Sequence, residues 1–103
     1  MITAIVEYQL PSVLPRDQVQ KIFSMAESKF RRMDGLHKKY FGYDERTGAG
    51  TSVYVWSTPE HATRCFSPQF VAEFERVFNT RPTIRYVDIL ILVDNDADKV
   101  TRF

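Results

Sequence analysis

The sequence predicts an α+β fold, a four-stranded antiparallel sheet with its helices on one face, in the βαββαβ order of ferredoxin-like domains. Three observations predict it. Ile2–Leu10 and Val53–Trp56 alternate in polarity as half-buried strands do. Val19–Met33 and Phe70–Phe78 place apolar residues at helical spacing. These stretches follow one another as strand, helix, strand, strand, helix pair, strand, with turn residues between them.

In the first strand Ile2, Ala4, Val6, Tyr8 and Leu10 form one side, and Thr3, Ile5, Glu7 and Gln9 the other. Pro11 to Pro15 break it, and Pro15 suits a first helical position, where no N–H is needed. Val19, Ile22, Phe23, Ala26, Phe30 and Met33 then mark one helix face, with Arg16, Gln20, Lys21, Glu27 and Arg31 outside. Asp34-Gly35 ends the helix, Gly35 being free to take a left-handed conformation. Leu36 to Tyr43 is extended and aromatic: Leu36, Lys38, Tyr40 and Gly42 alternate with His37, Lys39, Phe41 and Tyr43. The polar loop Asp44–Gly50 joins it to Val53–Trp56 as an antiparallel hairpin.

Trp56 closes that strand just before Ser57-Thr58-Pro59-Glu60, where helix-start residues are stacked: a hydroxyl cap, a proline, and a glutamate at capping-box spacing from Ser57. A short helix to about Phe66 follows. Ser67-Pro68 starts another, with Phe70, Val71, Phe74, Val77 and Phe78 on one face, and Asn79–Pro82 ends it. The last strand, Thr83–Val93, has Val87, Ile89, Ile91 and Val93 on one face and Ile84, Tyr86, Leu90 and Leu92 with Asp88 on the other. The domain is read as residues 1–95, with 96–103 a polar tail.

One helical layer covers only one face of a sheet, yet this strand is apolar on both. The expected cover for the second face is the same face of another copy, giving a homodimer by sheet-to-sheet packing. Apolar content of 44% and charged content of 26% are ordinary for a globular protein. A net charge of +1 gives no reason to expect nucleic acid or an anionic membrane as partner. The start MITAIVEYQL reads as a strand rather than a signal peptide, and no apolar run approaches membrane-spanning length. Cys65 is the only cysteine, which excludes an internal disulfide and fits a reducing cytoplasm. Aromatic content of 14% is high for so short a chain and points to a pocket or interface.

The block from Gly35 to Phe66, with the final strand running into Val93-Asp94-Asn95, resembles the dimeric α+β barrel superfamily. Within it the likeness is to YdhR-like and antibiotic-biosynthesis monooxygenases, over Ile2 to Asn95. The resemblance implies a homodimer whose two sheets close into a barrel, with a ligand cleft between sheet and helices in each subunit. It implies a monooxygenase without metal or organic cofactor, acting on a small aromatic or polyketide-like substrate. Trp56 matches the strand-end Trp that shapes the cleft. Ser52 stands where those oxygenases use Asn, Ala62 where they use Tyr, and Arg76 corresponds to an Arg of the second helix.

The candidate catalytic residues are His37, an imidazole able to take a proton near neutral pH or else facing solvent at the strand's start, and Trp56, which either lines the cleft or plugs the gap between sheet and helices. The candidate substrate-binding residues are Ser52, Tyr54, Trp56 and Arg76. Two histidines without ligand spacing, His37 and His61, give no metal site. Lys38, Lys39, Arg76 and Arg85 are cations that could hold an anionic oxygen or stay solvated. Asp88 in its apolar strand calls for a partner. The competing reading is a non-catalytic dimeric module that binds a hydrophobic small molecule.

Overall fold

Strand β1 (Ile2–Gln9) lies at the centre of the sheet and fixes the molecule's inside, as described by a computed structural model of residues 1–103. Ile2, Ala4, Val6, Tyr8 and the following Leu10 are all buried, so the alternating pattern becomes one helix-facing stripe. Helix α1 (Arg16–Phe30) crosses that face. Strands β2 (Leu36–Asp44) and β3 (Ala49–Trp56) form the hairpin, helices α2 (Pro59–Cys65) and α3 (Pro68–Phe78) return over the sheet, and β4 (Thr83–Asp88) pairs with β1. The strand order is β2-β3-β1-β4, antiparallel throughout. This is the predicted ferredoxin-like arrangement.

Local chemistry accounts for the element ends. Thr58 caps α2, its hydroxyl accepting from the His61 N–H at 3.2 Å, and Ser67 caps α3 by accepting from the Phe70 N–H at 3.2 Å. Proline follows each cap at the first helical position. Asn79, left-handed at φ 53°, stops α3. Helix α1 ends at Phe30, a turn before the predicted Asp34-Gly35 stop, because Arg31 is already extended and Arg32 left-handed. Gly35, at φ 78°, instead turns the chain into β2. There the Leu36 N–H donates to the Met33 carbonyl at 3.1 Å, and a Cβ on Gly35 would fall on the His61 ring.

The fold departs from the expectation at two further places. A bulge at His37 breaks the register between Leu36 and Lys38, so Leu36 pairs with Trp56 and Lys39 with Tyr54. The extra residue puts Leu36 on the same face as Lys39 and Phe41, although simple alternation separates them. The long last strand is also two strands. After Asp88 the Ile89 N–H donates to the Met1 carbonyl at 3.1 Å, and the chain leaves the sheet. Strand β5 (Ile91–Asp94) then pairs antiparallel with β6 (Lys99–Arg102) in a separate hairpin. The segment expected to be a loose tail therefore holds a strand, because Ile91, Leu92 and Val93 take their backbone partners from it and not from β1.

Candidate active site

Helices α1 and α3 are amphipathic, but Val19 is the only fully buried residue of α1 and α3 has none. Their apolar faces look onto an open cleft. The sheet supplies the floor, from Tyr8 on β1, Ser52 and Tyr54 on β3, and Lys39 and Phe41 on β2. Ile22, Phe23, Ala26 and Phe30 form one wall and Phe70, Phe74, Val77 and Phe78 the other. The cavity is about 360 Å³, in the range of small-molecule sites, and mostly apolar. A larger groove of about 760 Å³ runs along the start of α1 and the end of β2. It is mostly polar: Arg46 pairs with Asp44 at 3.2 Å, and Glu45 accepts from the Arg16 backbone N–H at 3.1 Å. The apolar cleft is the better candidate site.

Lys39 is the unusual group in it. Its Nζ lies 3.5 Å from the ring centroid of Phe30, 3.8 Å from that of Phe41 and 4.5 Å from that of Tyr54. The ammonium is held by aromatic faces, and no carboxylate pairs with it. Burial pushes its pKa down to about 7; the Cys65 side chain opposes the shift, and the Lys29 ammonium adds to it. Lys29 sits further out, 5.6 Å from the Phe30 ring and 5.8 Å from the Phe70 ring. Burial raises the Cys65 thiol and the Tyr54 and Tyr8 phenols above their ordinary values. The Tyr8 hydroxyl is buried without a hydrogen-bond partner.

The other candidates fall as follows. Ser52, Tyr54 and Arg76 line the cleft. Ser52 and Tyr54 are part of the floor, whereas Arg76 is at the rim, its Nε donating to Glu73 at 3.0 Å. Trp56 does not line it. The indole is 1% exposed, stacked on Tyr54 and set edge-to-face against Phe66, so it plugs the core beside the cleft. His37, at the bulge, is exposed and lies 2.7 Å (Nε2) from the Ser57 hydroxyl, outside the cleft. His61 is tied to Thr58 and to Asp34, its Nε2 3.4 Å from the carboxylate. Asp88 is exposed, so the carboxylate expected to need a partner is solvated. The chain gathers no group of three or more His, Cys, Asp or Glu side chains suited to a metal ion. No helix is long and apolar enough to cross a membrane.

In the sequence Lys39 is one cation among four, with nothing to set it apart from Lys38, Arg76 and Arg85. The signal that could have singled it out is its place between aromatics two residues before Phe41, once the bulge is known.

No protein-family model and no curated protein matches the chain. Solved structures do. A "putative antibiotic biosynthesis monooxygenase" from Deinococcus radiodurans superposes with a TM-score of 0.67 at 13% identity, over 91% of this chain and 97% of that one. The chain shares that protein's fold. SnoaB, a cofactor-independent oxygenase from Streptomyces nogalater, superposes at TM-score 0.63 and 11% identity, over 85% of this chain and 91% of SnoaB. Rv0793 from Mycobacterium tuberculosis does so at 0.60 and 12%, over 87% and 96%. At such identities the likeness is one of backbone. The lining of the cleft is this chain's own.

Proposed function

We propose that the protein is a cofactor-independent monooxygenase acting on a small aromatic or polyketide-like substrate bound between α1, α3 and the sheet. The observation that carries the reading is the cleft itself, a cavity of about 360 Å³ walled by phenylalanines with one half-buried cation on its floor. Flat apolar surface of this kind takes a planar conjugated ring, and the fold shared with SnoaB supports oxygenation as the reaction. In such a reaction the substrate supplies all the electrons. A methylene between conjugated rings loses a proton, and the carbanion reduces O₂. One oxygen atom ends as the new carbonyl, and the other leaves as water with the two methylene hydrogens. The protein contributes desolvation, orientation and stabilisation of developing negative charge.

Incubation with hydroxylated polycyclic aromatics under isotopically heavy O₂ tests this. The expected result is one heavy oxygen atom in the product and none under argon. No turnover across a broad panel, with binding retained, favours the non-catalytic binding module instead.

A further inference from the structure

We infer that Lys39, rather than either histidine, is the proton acceptor and anion partner of the cleft: its amine takes the proton of an acidic aromatic hydroxyl or enol and holds the resulting oxyanion. The assignment rests on the cleft being the aromatic site proposed above. It narrows the substrate to conjugated rings that carry an ionisable oxygen.

Three features of the geometry support it. Lys39 enters the cleft from the floor, where the His37 bulge and the pairing with Tyr54 place it. Its Nζ is surrounded by the Phe30, Phe41 and Tyr54 rings, which give an amine none of the hydrogen bonds a carboxylate or water would. The cleft's one carboxylate, Glu73, is already paired with Arg76 at the rim. A hydroxyl arriving on a flat apolar ring therefore meets a partly desolvated amine, and once the proton has moved no protein anion competes for the ammonium. Burial also makes the neutral amine available near pH 7, as a general base requires. The groups facing it are the Tyr54 phenol on β3, the Cys65 thiol on α2, Lys29 on α1 and the Glu73–Arg76 pair on α3. Tyr54 and Cys65 are held towards their protonated forms, which leaves Lys39 as the base. Proton transfer is balanced within the pair: the O–H bond breaks, an N–H bond forms, and an ammonium–oxyanion contact replaces amine and hydroxyl.

The test uses 2-hydroxyanthraquinone, a dye whose anion differs in colour from the neutral form and whose own midpoint lies above pH 7, and its methyl ether. Both are titrated into wild-type protein and Lys39→Met at about pH 7, below the dye's midpoint and where the Lys39 amine is partly neutral. Methionine suits the ring cage, so the variant should fold, as circular dichroism would verify. The wild type is expected to bind the dye as anion. The variant should bind it as the neutral form, with affinity for the anion reduced roughly ten- to hundredfold. The ether should bind both proteins alike. Identical bound spectra in the two folded proteins would overturn the role of Lys39 while leaving the cleft standing. Failure of the wild type to bind either the dye or the ether would overturn both.

Discussion

Tyr54 and Trp56 stack two residues apart on β3, ring centroids 5.9 Å apart and planes within 6° of parallel. Of the pair, only Tyr54 reaches the cleft floor; Trp56 lies behind it against Phe66, with its indole N–H unpartnered. Stability and binding thus divide between adjacent rings on one strand face. Trp56→Ala should cost about 3–5 kcal/mol, enough to unfold a domain of ordinary stability. Trp56→Phe should cost roughly half of that or less, since it also removes a buried donor without an acceptor. Urea unfolding measures both. Acrylamide should quench the single tryptophan weakly; strong quenching would put the indole on the cleft surface after all.

The cleft makes stability depend on pH in a defined direction. Between about pH 7 and the ordinary lysine value of 10.5, the unfolded chain holds a proton on Lys39 that the folded chain has shed. Stability therefore rises with pH in that window and is lowest, as far as Lys39 is concerned, below it. Cys65 acts oppositely above its ordinary value of 9.0, and Tyr8, Tyr54 and Tyr86 above 10.0, because folding keeps them protonated. The wild type should gain stability from pH 7 to about 8.5 and lose it in stronger base. Lys39→Met should show only the loss. Denaturant midpoints for the two proteins across this range check the difference.

Gly35 is needed twice over. Its φ of 78° disfavours any side chain, and a Cβ would overlap the His61 ring. Gly35→Ala should destabilise the fold by more than about 1 kcal/mol. Adding His61→Ala should relieve the overlap with the ring and leave the cost of the left-handed backbone. The double-mutant cycle in urea would show a coupling between the two sites; strict additivity would mean that the ring moves aside freely.

We propose that the chain is an obligate homodimer. The outer sheet face carries Ile5, Val53, Val55 and Val87 around a single ion pair, Glu7–Arg85 at 3.6 Å. Beyond it the β5–β6 hairpin exposes Leu90, Ile91 and Val93, which the chain's own helices do not cover. Large apolar patches of this kind are rare on monomers. Sedimentation should find a species of twice the 12.0 kDa chain mass at micromolar concentration. A folded 12.0 kDa species that persists on concentration would overturn the proposal.

The sequence by itself determined the elements from β1 to α3 and most of their inner faces. The Ile2–Leu10 stripe, the Phe-lined face of Phe70–Phe78 and the hydroxyl–proline caps at Thr58 and Ser67 act through residues a few positions apart. Their consequences can be read from spacing alone. Tertiary structure decided what spacing cannot carry. Whether Thr83–Val93 is one strand depended on Ile89 meeting Met1, and whether the tail forms a strand depended on Lys99–Arg102 meeting Ile91–Asp94. The placing of Lys39 beside Leu36 and Phe41 required one extra residue at His37, set by pairing with β3. The same holds for the site. Lys39 and Lys38 are neighbours with the same intrinsic chemistry, and only the Phe30 ring from α1 and the Tyr54 ring from β3 set one apart by desolvating it. A side chain's charge is written in the sequence; the dielectric around it belongs to the fold.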